Sequence, residues 1–197
     1  MKNIFTYILL LLLYLCLNSC NNCERFSGEN YPADNPEDSA IVPMLNRIFD
    51  QLSEPDISGS DSQVYRLMIS SSFEKGMHCV IKITKTADGC TLKAFNYESR
   101  YTDGKPVHSK TEEVIRKLSL EKWNTFEDLV YASKYWTMPC FEHKMSLDGV
   151  LYYLEASRPQ AGDCGKKTYQ AVARKSPAPD DLFLFVCEWM LHNSVKN

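Results

Sequence analysis

The sequence predicts an α+β fold: a mostly antiparallel sheet of about five to six strands, with about three helices packed mainly on one face. Three observations predict it. Helical and β-branched stretches follow one another in the order helix, strands, helix, two strands, helix. The links between neighbouring strands are of hairpin length, which means antiparallel pairing. No strand–helix–strand repeat with Gly-rich crossovers appears, which removes a doubly wound parallel sheet.

The first helix is expected over about 40–53. Ile41, Leu45, Ile48 and Leu52 recur at the spacing of one helical face. Ser39 stands as its N-cap, and Pro43 is tolerated in the first turn. Residues 54–62, EPDISGSDS, read as a loop. Strands follow at 64–69, 78–84 and 90–95, rich in Val, Ile, Leu, Thr and Phe. Asp88-Gly89 is the expected two-residue turn of the second and third. In that register Ala87 faces Cys90 and Cys79 faces Glu98. Residues 102–106, TDGKP, make the next turn, and 107–118 continue as a fourth strand, with a helix over 112–118 as the alternative. Ser119 caps a helix carrying Leu120, Trp123, Phe126, Leu129 and Val130 on one side. The aromatic link 135–139 is expected to pack against the sheet. Residues 150–156 and 167–174 form the last strand pair. Residues 176–181, SPAPDD, open the final helix, which carries Leu182, Phe185, Val186, Trp189 and Met190.

The chain has 197 residues, 44% hydrophobic and 12% aromatic, with a net charge of −3. That length is one domain, or one domain plus a tail. The near-neutral balance excludes a dedicated nucleic-acid binder, which needs a basic excess. The aromatic content excludes a wholly disordered chain.

The N-terminus reads MKNIFTYILLLLLYLCLNSC. Lys2 precedes an apolar run of 14 residues, Ile4 to Leu17. A spanning helix needs about 20, so the run has the length of a signal-peptide core. Leu17-Asn18-Ser19-Cys20 then resembles the lipobox of bacterial lipoproteins, with Asn18 where that family more often has a smaller residue. The resemblance implies cleavage before Cys20 and acylation of its thiol. It divides the chain into a lipoprotein signal peptide over 1–19, a flexible tether over 20–38 and one globular domain over 39–197. The chain from Cys20 onward holds 21 basic and 25 acidic side chains. Lipid, and not charge, is then the expected membrane anchor. Asn21, where an Asp would imply inner-membrane retention, points to the outer membrane facing the periplasm.

Cys23, Cys79, Cys90, Cys140, Cys164 and Cys187 would remain in an oxidising compartment that permits disulfides. Six Cys allow 15 complete pairings. Cys140 and Cys164, in loops around one expected hairpin, are the leading pair. Cys187, among Phe185, Val186 and Trp189, reads as a buried free thiol. Cys140 with His143, and Cys187 with His192, lack the doubled Cys or His units of a zinc site, so no metal or other cofactor is expected.

No Gly-x-Ser-x-Gly elbow, phosphate-cradling Gly-rich loop or His-Glu-x-x-His motif is present. His78 and Cys79 are adjacent in a strand and so point to opposite faces. Tyr97, Tyr101, Tyr152 and Tyr153 can line either a ligand-stacking surface or the core. Trp123, Trp136-x-x-Pro139, Leu147-Asp148-Gly149, Tyr153-Leu154-Glu155, Tyr169 and Ser176-Pro177 form a pattern over about 115–190. It resembles uncharacterised bacterial exported proteins and implies no active site. Glu155 sits in an otherwise apolar strand and needs a partner if buried. Arg158 or Arg174 can supply it, and Glu155–Arg174 is the candidate buried charge pair. Two function classes stand: a non-enzymatic envelope lipoprotein that binds a protein or glycan, including an inhibitor or immunity role, and a periplasmic hydrolase with an unrecognised site. The binding class is preferred.

Overall fold

The computed structural model describes residues 36–72, 77–141, 149–159 and 167–195. The N-terminal apolar run, Cys20, nearly all of the expected tether and Cys164 lie outside these residues. Within them the fold is α+β. Six strands form one antiparallel sheet: β1 (Gln63–Ser71), β2 (His78–Thr86), β3 (Gly89–Thr102), β4 (Lys105–Leu118), β5 (Val150–Pro159) and β6 (Lys167–Lys175). Their spatial order is β4-β3-β2-β1-β5-β6. The first four strands meander outward from β1. The chain then passes through α2 (Leu120–Ala132) and a 3₁₀ turn (Tyr135–Thr137) and returns to the free edge of β1 as β5.

The helices lie on both faces of the sheet. α2 and α3 (Leu182–Ser194) cover one face, over a core that includes Tyr65, Trp123, Phe126, Tyr135, Val186 and Cys187. α1 (Pro36–Gln51) covers the other, where Leu45, Ile48, Phe49 and Leu52 meet Met68, Val80, Phe95 and Tyr153. This double cover explains β1. It is central, and its residues 64–69 are all buried, so it reads as an unbroken run and not an alternation.

Both sheet edges are protected against pairing with another chain. β4 carries Pro106, a run of charges, and a bulge where its register against β3 shifts between Phe95 and Tyr97. The Gln51 side chain also occupies that edge: its amide donates to the Pro106 carbonyl at 3.2 Å and accepts from the His108 N–H at 2.7 Å. At the β6 edge the Ala173 N–H donates to the Cys140 carbonyl at 2.7 Å, so the link after the 3₁₀ turn runs alongside that strand.

Several expectations change in detail. α1 begins at Pro36 and runs through Ser39, so Ser39 is not its cap and Pro43 is an interior residue. The β2–β3 turn is Ala87-Asp88. Gly89, at φ +133°, is already the first residue of β3 and pairs with Thr86, and Cys79 pairs with Asn96. The 107–118 segment is strand throughout, within β4. Ser119 caps α2 as expected, its hydroxyl accepting from the Lys122 N–H at 3.2 Å. Leu120 is exposed. α3 starts only at Leu182, capped by Asp181, whose carboxylate accepts from the Phe183 N–H at 2.8 Å. That start turns Phe183, Val186, Cys187 and Met190 inward and leaves Leu182 and Phe185 exposed.

Candidate functional site

Two concentrations of polar chemistry stand out, and the sheet separates them. The first is a buried ionic network on the α1 face. Arg66 sits in the middle of β1 and faces Glu155 across the β1–β5 pairing, and both side chains are fully buried. The Arg66 guanidinium grips Oε1 of Glu155 through Nε, at 2.6 Å, and Nη2. The other carboxylate oxygen accepts from the Tyr169 hydroxyl at 2.7 Å, with the Tyr153 hydroxyl at 3.5 Å. Arg66 also donates to the Pro55 carbonyl at 2.7 Å and lies 4.0 Å above the centre of the Phe49 ring. The network therefore binds β5 and β6 to α1 and to the loop that follows it.

That loop delivers Glu54, whose side chain is only 2% exposed. Lys82 and Lys110 donate to its carboxylate at 3.2 and 3.0 Å, and Lys93 and Arg66 stand at 3.7 Å. Burial alone would push the Glu54 carboxyl up. Lys110 and Lys82 overcome that and hold it below its ordinary value. A carboxylate so deeply placed survives because cations surround it.

The second concentration is a cleft of about 650 Å³ on the opposite face, beside the C-terminal end of α3. Cys79, Ile81, Ala94 and Asn96 floor it, and Leu191 and Val195 wall one side. Glu98 and Glu112 lie at the bulged end. The only thiol of its floor is a poor nucleophile, because burial pushes Cys79 up to about 12. His78, at the rim of the cleft, is tilted against the Tyr97 ring with ring centres 5.2 Å apart.

The expected Glu155–Arg174 pair does not form. Arg174 is registered against Tyr152, three residues from Glu155, and three is an odd number of strand steps, so the two side chains lie on opposite faces. Arg174 instead donates to the carbonyls of Ala173, Pro139 and Cys140 at 2.8, 3.1 and 3.4 Å, clamping the covered edge of β6. Glu155 is buried as its sequence position demanded, and its partner is Arg66. The signal was present: each is one charge in the middle of an apolar strand, and the charges are opposite. Cys140 is a buried free thiol; Cys164 lies outside the described residues. Cys187 is buried and free. The four tyrosines do not gather: Tyr97 and Tyr153 are core on the α1 face, Tyr152 is half-buried on the other, and Tyr101 is 79% exposed.

Among the described residues no group of three or more His, Cys, Asp or Glu side chains is placed to hold a metal ion. Among them, too, no helix is long and apolar enough to cross a membrane. Compared with family models and with curated proteins, the sequence matches none.

Proposed function

We propose that the chain is a cell-envelope lipoprotein, held by lipid on Cys20 at the periplasmic side of the outer membrane, whose domain binds a protein or glycan and carries out no reaction of its own. The observation that carries the anchor is the N-terminal sequence: one basic residue, a 14-residue apolar run and then Leu-Asn-Ser-Cys. Several acyl chains on one residue supply the stable attachment that one chain does not.

Separation of the larger cleft from the buried ionic network supports binding over catalysis. A catalytic centre needs convergent titratable groups beside accessible space. Here the 650 Å³ cleft and the ionic network lie on opposite faces of the sheet. The groups of the network are also committed to one another, and Tyr169 is pushed well above its ordinary value by burial and by Glu155. A half-apolar cleft without an activated nucleophile suits recognition of a partner.

Intact mass and fractionation of wild type and Cys20→Ala test the anchor. The expected wild type starts at Cys20, carries a fatty adduct and needs detergent for extraction. Cys20→Ala is expected unprocessed or soluble in the periplasm. A processed Cys20→Ala chain that still needs detergent sinks the reading. Capture of envelope partners with the acylated protein, lost when Ala94 in the cleft floor is changed to a larger residue, tests the binding site.

A further inference from the structure

We infer that the lysines of β2, β3 and β4 on the α1 face form a binding site for a phosphate-class oxyanion. Lys82 and Lys93 are directly paired across β2 and β3, and Lys110 enters from β4 opposite Tyr97. Like charges in such register repel. Glu54 beneath them offsets part of that repulsion, because all three ammonium groups converge on its carboxylate. Lys93 and Lys110 stand against the same oxygen, Oε1, at 3.7 and 3.0 Å, which gathers their ammonium groups around one point.

The ring is open on its outer side. The three lysine side chains are 20, 27 and 29% exposed, while Glu54 below them is 2% exposed. Each ammonium has three donors. Lys82 and Lys110 direct one each to Glu54, and Lys93 directs one to Glu113 at 3.0 Å. Each ammonium thus has donors beyond these contacts, and each lysine side chain is partly open to solvent. Lys110 is also held 4.3 Å above the Phe95 ring. Long side chains that are already ordered lose less entropy when an anion arrives. Charge points the same way. Arg66, Lys82, Lys93 and Lys110 contribute four positive charges, against three from Glu54, Glu113 and Glu155. A carboxylate already fills the inner side. A phosphate group offers three oxygens to three ammonium groups on the outer side. The site lies on the face opposite the cleft and is independent of lipid at Cys20.

Amine acetylation read by mass spectrometry, with thermal midpoints, tests it on the full chain. The ligands are inorganic phosphate, vesicles of phosphatidylcholine alone, and vesicles of phosphatidylcholine mixed with phosphatidylglycerol; chloride at matched ionic strength is the reference. Lys82, Lys93 and Lys110 are expected to be protected, with other lysines unchanged. Protection by phosphate assigns a soluble phosphorylated ligand, and protection by phosphatidylglycerol vesicles alone assigns a headgroup. Lys93→Gln, the substitution that costs Glu54 least, is expected to weaken binding about tenfold, the worth of one charge-assisted hydrogen bond. Glu54→Gln removes the internal carboxylate and is expected to tighten it, which keeps the test open if a lysine variant fails to fold. The proposal is overturned if neither ligand protects these lysines in wild type and in Glu54→Gln, and phosphate and chloride give equal midpoints.

Discussion

Replacing Arg66 by Met tests what the buried network does for the fold. Met fills much of the arginine's volume and keeps contact with Phe49, so the loss is mainly electrostatic. Arg66 makes a 2.6 Å bond from Nε to Glu155, a second contact from Nη2 and a 2.7 Å bond to the Pro55 carbonyl. Its removal takes the guanidinium away from Glu155, which is at 0% exposure and also accepts from the Tyr169 hydroxyl. Breaking a buried pair from one side costs about 3–5 kcal/mol, because the remaining charge loses its counter-charge and must stay dry or take up a proton. The double substitution Arg66→Met, Glu155→Leu removes both charges. It leaves Tyr153 and Tyr169 with the 3.4 Å contact between their hydroxyls, and is expected to cost about 1–2 kcal/mol. The double variant is then expected to be about 2–3 kcal/mol more stable than Arg66→Met alone. Urea unfolding at neutral pH, followed by circular dichroism, measures wild type, each single variant and the double variant. If Arg66→Met unfolds within about 1 kcal/mol of wild type, or the double variant loses the sum of the two single losses, the pair is not the energetic unit described.

Other consequences concern pH and backbone shape. Burial lowers both His78 and His108 from the usual 6.5, so the folded chain keeps them neutral while the unfolded chain takes up protons first. Stability is therefore expected to fall as pH drops through 6.5, until the lowered folded values are passed. Tyr97 lies between the rings, the Ser70 and Ser99 hydroxyls hold their Nδ1 atoms, and Arg47 of α1 opposes charge on His108. Glu54 adds a separate loss at lower pH: its contribution is full above 4.5 and disappears as pH falls through its lowered value. Urea midpoints at a series of pH values check both, and a flat profile from about pH 7.5 to 5.5 refutes the histidine part. Gly149, at φ +137°, accepts from the Ser72 N–H at 3.0 Å, and a Cβ there would collide with the Ser176 hydroxyl. Gly149→Ala is expected to cost more than about 1 kcal/mol, whereas Gly59→Ala, with open space around it, is expected to be neutral or to stabilise by a few tenths. Equal effects at the two glycines on thermal unfolding would contradict this.

The sheet and helices were legible because their signals are local. Val and Ile runs, the turn near Asp88 and the Ser119 cap act over a few residues, and each appears within a residue or two of its expected place. The partner of Glu155 depends on something non-local. Arg66 is 89 positions away, and the two meet only because the chain crosses by way of α2 and lays β5 on β1 and not on β4. The setting of the lysines is hidden for a related reason. Ile81-Lys82-Ile83 alternates as a strand with one wet face does, yet the polar face is partly roofed by the loop carrying Glu54. α1 held the clue, since its apolar stripe needs a second layer to cover it and only the face bearing Arg66 and Lys82 was left.

A strand's period of two turns that roof into a functional argument. Met68, Val80 and Phe95 must face α1, so Arg66, Lys82, Lys93 and Glu155 face it too. Cys79, Ile81 and Ala94 must face α3, so the cleft opens on that side. Bringing the charges into the cleft would require a one-residue slip, and that slip would carry the core of both faces into the wrong layer. The same alternation that stabilises the sheet keeps the Arg66–Glu155 network apart from the cleft, whose bulged end carries Glu98 and Glu112. That separation is what favours the proposed binding role over a single catalytic centre.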